Sequence, residues 1–205
     1  MNSLPEGIQL EILLKLDYLD IINTVNVFPI FLNTYRNSYF WLRKAELDFN
    51  ISPQELQFIP GKDNKARYEW LIDKTPNEGL YEASVMGSLP LVRYFISRGA
   101  NNYNRCLTPA ANSGHLEIVK LMLDKGATEY RFASICAAQN GYIEIIKLLL
   151  EKGFNDYDLI AYHASQRCHL DINNLMVSKG AFKFNHFYLN IAALTAVFLS
   201  LYLAN

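Results

Sequence analysis

The chain has 205 residues, 51% hydrophobic, 13% aromatic and 19% charged, with a formal net charge of −1. That length can bury a sizeable core as one elongated domain or two small ones, and a near-neutral chain without a Lys/Arg cluster excludes nucleic acid as a partner. The Met-Asn-Ser-Leu-Pro-Glu start lacks the basic residues and apolar run of a signal peptide, so a cytoplasmic, non-secreted protein is expected.

In residues 1–45, Ser3-Leu4-Pro5-Glu6 has the form of a capping box with Pro5 in the first helical turn. Ile8, Ile12 and Leu16 follow at i, i+4 and i+8, while Leu10, Leu13 and Leu14 fill the other faces. A helix this apolar meets core on one side and a partner on another. Asp17 or Asp20 can cap a second helix over residues 21–27. Pro29 can open a third that carries Phe31, Leu32 and Tyr35, and Trp41-Leu42 begins a fourth segment.

Leu4, Pro5, Glu6, Gly7 and Ile8, then Ile12-Leu13, Leu16-Asp17, Ile21, Val25, Phe31 and Trp41 together resemble an F-box. The resemblance covers about the first 45 residues. It implies a three-helix motif that docks on the Skp-type adaptor of a cullin–RING ubiquitin ligase. The residues it points to are Leu4, Pro5, Ile8, Ile12, Leu13, Leu16, Ile21, Val25, Phe31 and Trp41. Two stretches depart from the family: Gly7 stands where an acidic residue is common, and Phe28-Pro29-Ile30-Phe31 replaces a cysteine/basic/Trp stretch. The alternative is a helical cap that merely covers the segment after it.

Residues 46–79 predict a helical connector. Ser52-Pro53-Gln54-Glu55 is a second capping box, Pro60-Gly61 a turn, residues 66–71 a helix anchored by Tyr68, Trp70 and Leu71, and Thr75-Pro76 its stop. No Gly/Ser-rich or charge-rich linker appears, so a rigid join between modules is expected, with Trp70 packed at it.

From residue 80 to 186 the sequence repeats itself. Glycines at 99, 126, 153 and 180 recur every 27 residues, and Gly87, Gly114 and Gly141 keep the same step, with Cys168 in their fourth slot. Each unit has an earlier run with small residues (Ala83, Ala110-Ala111, Ala137-Ala138, Ala164) and a later apolar run such as residues 116–123. The first glycine suits a left-handed turn and the second a helix C-cap. Glu117 with Lys120 and Glu144 with Lys147 are surface pairs of small value.

The run Gly114-His-Leu-Glu-Ile-Val-Lys-Leu-Met-Leu-Asp-Lys-Gly126-Ala resembles the second helix of ankyrin repeats. The usual period is about 33, and here the shortfall lies where that family carries its β-hairpin finger. Turns at Asn101-Asn102, Thr128-Glu129 and Asn155-Asp156 are expected in its place. The resemblance therefore implies an all-α chain: an F-box-like helical block packed on an ankyrin-type solenoid of helix pairs with truncated fingers. Large DNA viruses encode many ankyrin proteins with clipped repeats of this kind, which implies a viral source and a host-cell cytoplasm. Cys168 departs from the turn pattern and leaves the fourth turn open.

Tyr103, Tyr130, Tyr157 and Phe184 also recur at the 27-residue step, beside changing neighbours such as Arg105, Arg131 and Asp158. An aromatic ladder with variable flanks reads as a target-binding face. The favoured reading is a set of plugs in the gaps left by the missing fingers, with the varying residues carrying most of the recognition. Residues 187–204 contain no charge and span about 27 Å as a helix, near the lower limit for a bilayer. They form either a degenerate closing repeat or a membrane tail.

Little in the chain looks like chemistry. Cys106, Cys136 and Cys168 lack C-x-x-C spacing and read as thiols of a reducing compartment, without a metal site. His163, Cys168 and His169 lie close together, but His169 shares the turn slot of His115, which assigns it to hydrogen bonding. No phosphate loop, zinc-protease or dinucleotide motif is present, so no enzyme and no cofactor are expected. The expected partners are proteins: a Skp-type adaptor and an unidentified target. A scaffold with no ligase link is the alternative.

Overall fold

All regular structure in residues 4–181, the part that the computed structural model describes, is helical. The chain divides into two units between Asn101 and Asn102. The N-terminal block, the connector and the first helix pair of the repeat therefore fall in one unit, and the later helix pairs in the other.

Unit 1 begins with α1 (Glu6–Leu14), α2 (Tyr18–Val27), a single 3-10 turn (Pro29–Phe31), α3 (Leu32–Arg36) and α4 (Ser38–Phe49). Pro5 is the residue that precedes α1 rather than its first helical residue, and among the described residues no side chain caps that end; Ser3 of the expected capping box lies outside them. Of the two candidate caps, Asp17 starts α2, accepting from the Asp20 amide at 2.9 Å. Around Trp41, fully buried in α4, pack the rings of Tyr35, Phe40 and Tyr68, at centroid distances of 5.4, 4.8 and 5.0 Å. Its indole Nε1 donates to the Tyr35 carbonyl at 2.7 Å.

Two buried polar side chains tie this block together. Gln9 donates to the Leu4 carbonyl at 2.6 Å and accepts from the Thr34 hydroxyl at 3.1 Å. Lys44 donates to the Leu14 carbonyl at the end of α1 and to Asp48, which also accepts from the Tyr68 hydroxyl at 2.6 Å. Each polar atom taken from water thus meets a partner, as burial demands.

The connector contributes α5 (Pro53–Leu56), with the Ser52/Glu55 capping box in place, and α6 (Asn64–Asp73). Thr75-Pro76 follows the end of α6 at Asp73, with Lys74 and Thr75 extended, and it also starts the next helix. Thr75 and Glu78 form a capping box with Pro76 at the first helical position of α7 (Pro76–Met86). The helix that carries Ala83 therefore begins at Pro76, and α8 (Leu89–Ser97) pairs with it. Trp70 sits 6.2 Å from the ring of buried Phe95.

The described residues of unit 2 form three helix pairs: α9 (Tyr103–Asn112) with α10 (Leu116–Asp124), α11 (Tyr130–Asn140) with α12 (Ile143–Glu151), and α13 (Tyr157–Ser165) with α14 (Leu170–Ser178). α11 packs between α9 and α13, and α12 touches both α10 and α14. Ala110, Ala111, Ala137, Ala138 and Ala164 are fully buried, so the small-residue row is what lets the first helices approach closely. Ile118, Val119, Met122, Ile145, Ile146 and Leu149 fill the second layer. Between pairs, where hairpin fingers were shortened in the sequence, the described chain makes turns and no strand.

Cys168 keeps the left-handed turn of its slot, with φ 59° against 76° at Gly114 and 77° at Gly141. A side chain there costs about 1–2 kcal/mol, partly offset by the extra unfolded-state freedom of glycine. Cys168→Gly is therefore expected to raise stability by roughly 0.5–1 kcal/mol, read as a higher urea midpoint at unchanged slope. A lower midpoint would show that the thiol makes a contact worth more than the strain.

Candidate protein-docking surfaces

The ten residues expected on the N-terminal docking surface separate into two sets. Pro5, Ile8 and Ile12 are exposed, Ile8 at 47% and Ile12 at 37%, and Leu4 and Leu16 are half-buried. Leu13, Ile21, Val25, Phe31 and Trp41 are buried. A docking role for those five is corrected by their burial: they are the core that holds α1 to α4 in place, and a partner cannot reach them.

Sequence reasoning missed part of the exposed set. Leu19 is 71% exposed, and Val27, Phe28 and Ile30 also face solvent. Leu19 sits between Tyr18 and Asp20 at the start of α2, where no apolar period selects an outward face. Gly7 has no atom within 4 Å of where its Cβ would stand, and a cleft of about 220 Å³ opens beside it between α1 and Tyr39.

Near α2, the Tyr18 hydroxyl donates to Glu69 at 2.6 Å. Burial first, and then that carboxylate acceptor, push its pKa up to about 12, so it stays a donor throughout the physiological range. Tyr68 is shifted upward in the same way, by burial and then by its bond to Asp48.

In unit 2, Tyr103, Tyr130 and Tyr157 are each the first residue of a first helix, and each is half-buried. This favours the plug reading of the aromatic ladder. The loops themselves are stitched by side chains that sequence reasoning overlooked. Within unit 2, Asn104 accepts from the amides of Thr128 and Glu129 at 2.7 and 3.2 Å. Within unit 1, Asn77 accepts from the Asn101 amide at 2.9 Å. Positions 77 and 104 share the 27-residue slot, which was the available signal. The next slot holds Arg131, whose guanidinium reaches Asp156 at 3.3 Å.

Arg105 and Arg131 are exposed, and Asp158 is half-buried. Phe184 lies outside the described residues, as does the whole of 187–204. Among the described residues no helix is long and apolar enough to cross a membrane. Two aromatics stand out against the repeat. Phe154 occupies the slot that buried Ala100, Ala127 and Ala181 fill elsewhere, and Phe132 is 63% exposed. With Tyr130 and Arg131 they line a notch of about 320 Å³ at the shortened finger.

The turn slots behave as structural parts. The ring of Tyr142 lies against Gly114 and that of His169 against Gly141, where added Cβ atoms would stand 2.6 Å away. His169 Nε2 is 3.0 Å from the Gln139 carbonyl, and the Gln139 amide is 3.2 Å from His163 Nδ1. Burial and then the charge of Arg131 hold the His163 pKa below its ordinary value. Both histidines are thus engaged by one glutamine rather than poised on Cys168.

Residues 110–187 match a protein family described as Ankyrin repeats (3 copies). The match starts inside α9 and takes in α10 through α14. No curated protein matches the chain.

Proposed function

We propose that this chain, whose residues 110–187 are ankyrin repeats, is an adaptor that joins two proteins. Its repeats hold a target, and its N-terminal helices bind the Skp-type adaptor of a cullin–RING ubiquitin ligase. Repeats of this family serve protein–protein interaction, and the exposed Arg105, Arg131 and Phe132 beside Tyr103, Tyr130 and Tyr157 supply the varied, partly aromatic surface that such binding uses. The 27-residue step is shared with the clipped repeats of large DNA viruses, and on that reading ligase and target belong to a host cell.

The observation that carries the ligase half is the outer face of α1. Ile8 and Ile12 stand in solvent one turn apart, with exposed Pro5 at the helix start and Phe28 56% exposed elsewhere in the same block. A helix whose only task was to cover a core would turn polar residues outward. The docking set is therefore Leu4, Pro5, Ile8, Ile12 and Leu16, and the buried residues serve as its frame.

Co-purification tests this. The wild-type chain is expected to retain a Skp-type adaptor, and Pro5→Ala/Ile8→Ala/Ile12→Ala to lose at least about tenfold of it with an unchanged circular dichroism spectrum. Equal recovery of the two would refute ligase docking. A captured target whose abundance does not respond to ligase inhibition would favour a plain scaffold.

A further inference from the structure

A mostly apolar groove of about 870 Å³ lies in unit 1 between the start of α2 and the length of α6. Tyr18, Leu19, Trp70 and Ile72 are among its walls, and Leu19 projects into solvent beside it. Four carboxylates line it, from Asp17, Asp48, Glu69 and Asp73, and no lysine or arginine does.

Two of those carboxylates are already matched. Asp48 holds Lys44 at 2.9 Å and the Tyr68 hydroxyl, and Glu69 holds Lys65 at 3.1 Å and the Tyr18 hydroxyl. Lys74, the next residue after α6, is committed to Glu82 at 2.8 Å. Asp17 and Asp73 remain without a cation within ion-pair distance among the described residues. Asp73 is also the last residue of α6, where the helix end adds partial negative charge of its own. The Trp70 ring already accepts a cation, with Lys74 Nζ 5.5 Å from its centroid.

We propose that this groove docks a basic amphipathic segment of a partner protein, with apolar side chains against Leu19, Trp70 and Ile72 and Arg or Lys side chains on Asp17 and Asp73. Phosphate-bearing ligands are repelled by the same carboxylates. A bare metal ion gains little there, because Asp48 and Glu69 are already tied to tyrosines and lysines. Apolar walls with unmatched acids at the rim instead suit a chain that alternates the two kinds of side chain. The inference goes beyond the ligase reading and is independent of it, since no residue of α1 lines the groove.

The test uses the full chain and a short labelled peptide that alternates arginine and leucine, followed by fluorescence polarisation and by tryptophan emission, since Trp70 lines the groove whereas Trp41 is buried behind Tyr68. Saturable binding is expected, and Asp17→Asn/Asp73→Asn should weaken it by about tenfold while asparagine preserves the α2 cap. Glu117→Gln/Glu144→Gln, which removes the same charge from exposed sites in unit 2, should leave it unchanged. Three results would overturn the proposal: no binding to the wild-type chain, equal binding of a glutamate–leucine peptide, or equal loss in the two double variants.

Discussion

Trp41→Ala is expected to unfold unit 1 at room temperature. The indole is 1% exposed, its neighbours are aromatic rings on three sides, and its Nε1 satisfies the Tyr35 carbonyl. Truncating a buried tryptophan costs about 3–5 kcal/mol, and taking the donor from the half-buried Tyr35 carbonyl adds about 1 kcal/mol. A domain of this size has roughly 5–15 kcal/mol in total, so little or nothing remains. Urea titration followed by Trp70 emission would show it, because unit 2 holds no tryptophan to obscure the signal. A shift of less than about 1 kcal/mol would mean that this ring is not the centre of the block.

Gly141→Ala and Gly153→Ala separate two costs that look alike in sequence. Both glycines have positive φ, at 77° and 99°. At Gly153 an added Cβ meets nothing within 4 Å, and only backbone strain of about 1–2 kcal/mol is expected. At Gly141 it would stand 2.6 Å from the His169 ring, which must then shift and give up the Gln139 carbonyl. Overpacking of that kind adds about 1–3 kcal/mol, so Gly141→Ala should lower the thermal midpoint of unit 2 at least twice as far. Equal shifts would mean that His169 does not seat on the turn.

The repeat was legible because its constraints recur. Glycines in the turns, alanines at the close approaches and apolar runs in the second layer each repeat at one step, so four imperfect copies reinforce one another. Thr75-Pro76 was only half read: the pair closes off the helix before it, as expected, and with Glu78 it also opens the helix after it. The inward and outward faces of α1 were not legible, since apolar residues surround it and no period selects a side. Lys44 and Asp48 would pass for an ordinary surface pair at i, i+4. What sets the pair apart is that Lys44 is buried and that the Leu14 carbonyl and the Tyr68 hydroxyl arrive from elsewhere in the chain to meet it.

The expected adaptor-binding helix is fastened at both ends, by Gln9 through the Leu4 carbonyl and Thr34, and by Lys44 through the Leu14 carbonyl. Its recognition side chains are therefore preorganised, and a partner that closes over Ile8 and Ile12 need not order a disordered segment first. Association should then proceed as rigid-body docking, whose entropic penalty comes chiefly from lost tumbling rather than from coupled folding.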